Sequence, residues 1–177
     1  MEMSDEELIK MIVKGDKERF GEIIERYQKK IFGYLKNLTN QSNEEIEDLM
    51  AEVFINGYTN LQSFDTKKKF SSWIFRVAHN KAVDFFKKRK VKTKTMEESE
   101  ELVGDGKKLF EEIEIEKEER KRVNQAVERL EIKYKEVILL YFYDERSYEE
   151  ISDILHIPTN IVGVLLYRAK DKLKKIL

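Results

Sequence analysis

The sequence predicts an all-α protein of two helical domains joined by a flexible acidic linker. Three observations carry that reading. Helix breakers are scarce, with 7 Gly and 1 Pro in 177 residues. Apolar residues recur at spacings of three and four along most of the chain. Charge is also divided unevenly: residues 1–92 carry a net +3, residues 93–119 a net −7 and residues 120–177 a net +3. Two mildly basic lobes therefore flank an acidic connector, with domains at 1–92 and 110–177 and the linker at 93–109.

In the first lobe, Ser4 and Glu7 have the spacing of a capping box, and the acidic residues around them favour a first helical turn. Leu8, Ile12, Phe20, Ile23, Ile24, Tyr27, Ile31, Tyr34, Leu35 and Leu38 then form an apolar stripe broken at Lys14-Gly15-Asp16. The pattern predicts a short helix, a turn and a longer helix. Ser42 or Asn43 caps a third, whose buried side is Ile46, Leu49, Met50, Val53, Phe54 and Tyr58. After a loop, a fourth helix runs from Phe70 to Lys90 with Ile74, Val77, Ala78, Ala82 and Phe85 turned inward.

Periodicity is lost from Val91 to about Asp105, a Glu-rich stretch ending at the breaker Gly104-Asp105-Gly106, and resumes near Leu109. The second lobe predicts helices at 110–130, 133–143, 148–155 and 159–176. Ser147 and Glu150 make another capping box. The last two helices, separated by a short turn at His156-Ile157-Pro158, suggest a helix-turn-helix packed through Ile151, Ile154, Leu155, Ile157, Val162, Leu166 and Ala169.

Several function classes lose support at this point. No apolar run approaches the roughly 18–20 residues that span a bilayer, and the acidic N-terminus lacks the pattern of a signal peptide, so a cytoplasmic protein without membrane insertion is expected. With no cysteine and two isolated histidines, His79 and His156, neither a metal site nor a catalytic residue is expected. No cofactor or small-molecule substrate is expected either. Residues 65–94 hold 11 Lys or Arg against Asp65 and Asp84, and that excess suits a polyanionic partner.

Three segments, Ile46-Glu47-Asp48-Leu49-Met50-Ala51-Glu52-Val53-Phe54, Phe70 to Lys90, and the helix-turn-helix ending Leu165-Leu166-Tyr167-Arg168-Ala169-Lys170, occur in the order and spacing of a known family. The chain closely resembles bacterial RNA polymerase sigma factors of the extracytoplasmic-function (ECF) group of the sigma-70 family, over nearly its whole length. The resemblance implies a region 2 helical bundle that binds core polymerase and opens the −10 promoter element. It also implies a region 4 helix-turn-helix that contacts the −35 element. Expected partners are the β′ clamp and β flap of polymerase, promoter DNA and an anti-sigma factor.

Carried onto this sequence, the resemblance implies polymerase contact through Glu45, Asp48, Leu49, Glu52 and Phe54, with the three carboxylates offering an acidic edge to a basic coiled coil. Met50 and Ala51 depart from the family's usual residues there. The fourth helix is similar to the family's F-x-x-W-L-x-R-I-A-x-N-x-x-x-D pattern at Phe70, Trp73, Ile74, Arg76, Val77, Ala78, Asn80 and Asp84. Arg76 and Asn80 are the expected −10 contacts, an amide being able to read a base edge. The loop Leu61 to Thr66 looks like the family's base-capturing loop, with Gln62 within it, Phe64 to stack or to anchor the loop, and Asp65 to accept from a base amine. Lys67, Lys68, Lys69, Lys87, Lys88, Arg89 and Lys90 would hold the backbone.

For the −35 element the expected residues are Ser147, Thr159, Asn160, Val164, Leu165, Tyr167, Arg168 and Lys170. Here the sequence departs most from the family, whose recognition helix resembles G-T-V-K-S-R-L-x-R-A-R: Gly163, Val164 and Leu165 stand where basic and hydroxyl residues are usual. Val164 or Leu165 touching thymine methyls predicts a T-rich or weakly specified element, and an apolar patch there equally suits a protein partner. Two other readings remain open: a stand-alone helix-turn-helix regulator, and a sigma-like protein that binds polymerase or an anti-sigma factor but initiates poorly.

Overall fold

The computed structural model describes residues 3–95 and 114–177, and every regular element among them is helical. The expected linker lies outside the described residues from position 96 onward, as does the resumption of helix near Leu109. Two compact units divide the chain, the first taking its elements from Asp5–Thr95 and the second mostly from Glu114–Ile176.

In the first unit, α1 (Asp5–Val13) and α3 (Asn43–Thr59) both start at capping boxes. The Ser4 hydroxyl accepts from the Glu7 amide at 3.2 Å, while the Ser4 amide donates to the Glu7 carboxylate at 3.0 Å. Donation from the Ser4 amide, and to a lesser degree from the Ser4 hydroxyl, holds the Glu7 carboxyl below its ordinary pKa. Ser42 and Glu45 repeat the exchange. Replacing Ser42 with alanine is expected to cost about 1 kcal/mol of stability, read as a lower urea midpoint with unchanged slope. Between these helices, α2 (Phe20–Thr39) ends at Asn40, whose φ of 53° is the left-handed conformation that asparagine tolerates.

The helix α4 (Phe70–Thr95) packs on both α2 and α3, so its buried face is wider than one stripe. Phe70, Ile74, Phe75, Ala78 and Ala82 are buried, whereas Val77 and Phe85, expected inside, are only partly covered. Phe75 meets Tyr34 across the α2 contact, with ring centroids 5.4 Å apart. At Gly57 a Cβ would lie 2.9 Å from Ile74 Cδ1, so α3 and α4 approach closely there. On α3, Met50 is partly covered and Tyr58 is exposed, although its ring packs edge-on against Phe20 at 5.0 Å. The helix also continues five residues past Lys90, because no Gly or Pro interrupts residues 91–95 and cations suit a helix C-terminus.

The second unit contains α5 (Glu114–Glu128), α6 (Ile132–Ile138) running into a π-helical turn at Leu139–Tyr143, α7 (Tyr148–Leu155) and α8 (Thr159–Ile176). The capping box opening α7 forms, with the Ser147 hydroxyl accepting from the Glu150 amide at 3.2 Å. His156 occupies the left-handed region at φ 59° and ends α7. Ser152 Oγ then donates to the Ile157 carbonyl at 2.6 Å, closing the turn before α8. Ile151, Ile154, Val162, Leu166 and Ala169 are buried as expected; Leu155 and Ile157, at the bend, are partly exposed.

Candidate nucleic-acid and partner interfaces

On α3, the helical period turns Asp48, Glu52, Ile55 and Thr59 outward together, at i, i+4, i+7 and i+11. Asp48 is exposed, and Glu52 is held by Lys81 of α4 at 3.1 Å. Glu45 is exposed as well, but one of its carboxylate oxygens is already engaged with Ser42. Leu49 and Phe54, expected to touch a partner, are instead buried. Both are counted with the apolar core of the unit. Ile55 shares the outward face with Asp48 and Glu52. It is 67% exposed, and with Glu52, Asn56, Thr59, Asn60 and Lys81 it lines a shallow groove of about 290 Å³. Its distance from Asp48 and Glu52 in the sequence was the signal for it, an isoleucine off the apolar stripe and on the acidic one.

The segment from Leu61 to Lys69 starts as a 3-10 turn at Leu61–Ser63. Leu61 and Phe64 are both buried and pin the turn from below, leaving Gln62 and Ser63 outside between them. Phe64, 7% exposed, packs edge-on against Phe70 at 5.4 Å and tilted against Trp73 at 5.6 Å. Buried among these rings, it pins the loop to the core and presents little free surface. Asp65 is exposed, and one of its carboxylate oxygens accepts from the Lys67 amide at 3.0 Å, a bond that stiffens the turn.

From Lys69 at the end of this loop, Trp73, Arg76, Asn80 and Lys87 continue along a single face of α4 at helical spacing. Asn80 and Lys87 are exposed, while Trp73 and Arg76 are partly covered. Lys67 and Lys88 are exposed too. Arg89, also exposed, donates to the Gln41 side-chain oxygen and lies over the Phe85 ring at 6.0 Å. The face thus offers a carboxamide, an indole edge and several cations beside a stiffened loop.

In the second unit the expected residues separate by role. The hydroxyl of Ser147 is committed to its capping box. Thr159, Asn160, Tyr167, Arg168 and Lys170 are exposed on α8, with Lys170 Nζ 5.2 Å from the centroid of Phe142 and 5.8 Å from that of Tyr141. Lys172 pairs with Glu131 at 3.0 Å, and this bond, ahead of that from Lys133, pulls the Glu131 carboxyl below its ordinary pKa. Val164 faces outward, whereas Leu165 is partly covered on the flank of the helix. Ile161, not singled out in the sequence, is exposed beside Val164. Among the described residues no helix is long and apolar enough to cross a membrane.

Comparison with known proteins matches residues 23–91 to the family Sigma-70 region 2 and residues 120–173 to Sigma-70, region 4. The chain is 33% identical to the ECF RNA polymerase sigma factor SigW of Bacillus subtilis, an alignment covering 99% of this chain and 97% of that protein. Among solved structures it is similar in fold to CnrH bound to the cytosolic domain of CnrY, with TM-score 0.72, 20% identity and coverage of 97% of this chain and 96% of that one. It is similar in fold also to the sigma factor RpoE of Bartonella quintana in complex with the anti-sigma factor NepR, with TM-score 0.75, 16% identity and coverage of 89% and 95%.

Proposed function

The chain belongs to the ECF sigma factors of the sigma-70 family, and from that premise we propose how its residues divide the work of binding core RNA polymerase and directing promoter-specific initiation. Region 2 comprises residues 1–92 with the continuation of α4 to Thr95, region 4 comprises 110–177, and the acidic segment between them is the linker. The outward face of α3, with Asp48, Glu52 and Ile55, docks on the β′ clamp, and region 4 meets the β flap. Gln62 and Asp65 capture a base of the −10 element, while Arg76 and Asn80 hold the opened strand. Lys67, Lys69, Lys87, Lys88 and Arg89 neutralise its phosphates. The helices α7 and α8 contact the −35 element, with Thr159, Asn160, Arg168 and Lys170 on or near the backbone.

Opening a promoter in this scheme requires no covalent chemistry. Unstacking a base costs a few kcal/mol, and a capturing surface returns roughly 1–3 kcal/mol per base. The observation that carries the reading is the single face of α4, from Trp73 through Arg76 and Asn80 to Lys87, that continues Lys69 and the pinned loop Leu61 to Asp65. An anti-sigma partner is supported by the relative bound to NepR. A cytoplasmic location, associated with the nucleoid through polymerase, follows from the role.

Run-off transcription with purified core polymerase tests the scheme. Wild type is expected to initiate on a promoter recovered from a random-sequence library. Asn80→Ala is expected to reduce open complex, measured by permanganate reactivity, roughly 5- to 150-fold, as loss of an amide–base contact of about 1–3 kcal/mol implies. Failure of the wild type on every template would overturn the reading. Tight duplex binding without polymerase would instead favour a stand-alone regulator, and polymerase capture without initiation a degenerate sigma factor.

A further inference from the structure

Ile161, Val164 and Tyr167 are 38%, 43% and 77% exposed on the outward side of α8, opposite the buried Val162, Leu166 and Ala169. A single exposed apolar residue on a surface helix requires no explanation, but three on the outer side of the second helix of a helix-turn-helix form a patch where base edges are met. C-terminal to it the helix is cationic, with Arg168, Lys170, Lys172, Lys174 and Lys175, of which Lys172 pairs with Glu131 at 3.0 Å and Lys175 with Asp171 at 2.7 Å. An apolar patch continued by a cationic stretch of the same helix suits a polyanion that projects apolar groups. The major groove of thymine-containing DNA is such a surface, because only the C5-methyl group of thymine is apolar among the natural base edges.

We infer that Val164, flanked by Ile161, reads the pyrimidine 5-methyl group itself, so that 5-methylcytosine serves in place of thymine in the upstream promoter element. The inference rests on the proposed contact of α8 with that element. Valine and isoleucine side chains neither donate nor accept hydrogen bonds, so they cannot distinguish the O4 acceptor of thymine from the N4 donor of cytosine. What they distinguish is a methyl group from a hydrogen at C5. Asn160, one turn earlier on the same side, reads or positions a neighbouring step through its amide.

The test uses polymerase holoenzyme carrying the full chain, on a promoter selected from a random library. Each upstream thymine is replaced singly by deoxyuridine, by cytosine and by 5-methylcytosine. Thymine against uracil, and 5-methylcytosine against cytosine, each change the methyl group while leaving the hydrogen-bonding pattern fixed. At one or two positions both methylated bases are expected to outperform their partners by about fourfold in initiation per buried methyl. Val164→Ser is expected to abolish that difference, a readout that a merely structural role would not produce. Equal initiation from thymine and uracil at every position overturns the inference while leaving the sigma-factor reading intact. Persistence of the methyl effect in Val164→Ser overturns the assignment to Val164. Absence of initiation on all templates sinks the underlying reading, and the inference with it.

Discussion

Phe70→Ala is expected to lower the stability of the N-terminal unit by about 3–5 kcal/mol. The ring is fully buried and touches three others: Tyr27 of α2 at 5.7 Å, Phe64 of the loop at 5.4 Å and Trp73 one turn along α4 at 5.6 Å. Removing it leaves a cavity where α2, the loop and α4 meet, and these elements can close over it only by moving the face that carries Arg76 and Asn80. Against a typical domain stability of about 5–15 kcal/mol, such a loss is a large fraction of the whole. Trp73 is the only tryptophan and sits in this cluster, so its fluorescence during urea unfolding reports on this unit. A change below about 1 kcal/mol would mean that the cluster is not the anchor of the loop. Phe64→Ala is expected to lose less stability but to impair −10 capture, because the turn at Leu61–Ser63 would lose one of its two buried pins.

The elements that were legible in the sequence are those specified by local pattern. Both capping boxes read in the sequence form, because a serine and a glutamate three residues later suffice to satisfy the free amides of a helix start, and Ser42, read only as one of two candidate caps, makes a third with Glu45. The helix-turn-helix was legible for the same reason, through a cap, a breaker and two short apolar stripes. What escaped depends on contacts distant in the chain. The Phe70 amide donates to the Glu6 carboxylate at 2.9 Å, so α1 caps α4 across 64 residues, a pairing without a sequence signature. Phe75 was missed because α4 packs on both α2 and α3, and one stripe does not describe a helix buried on two sides. Leu49 and Phe54 were read in two ways. Motif resemblance assigned them to a partner surface, although the helical period had already counted them on the buried side of α3.

That conflict between motif and period identifies the residue whose replacement is expected to affect polymerase binding most. Ile55→Lys is expected to weaken binding of the full chain to core polymerase by roughly 30-fold or more, the effect of losing a hot spot of at least about 2 kcal/mol. Its side chain is exposed, so the substitution removes little packing and leaves the fold stable. In a complex, by contrast, full burial of an isoleucine contributes about 1.5–3 kcal/mol. Lysine also places a cation beside Asp48 and Glu52, weakening the attraction of that edge for a basic coiled coil. Ile55→Ala removes the apolar group without the charge, so comparing the two variants separates the terms. The additional loss in Ile55→Lys should shrink between 0.1 and 0.5 M salt, while the loss in Ile55→Ala should not. Leu49→Ala and Phe54→Ala are expected to weaken binding only to the extent that they unfold the unit, a loss visible in Trp73 fluorescence before any polymerase is added. Affinity of Ile55→Lys within threefold of wild type would remove the outward face of α3 from the docking surface.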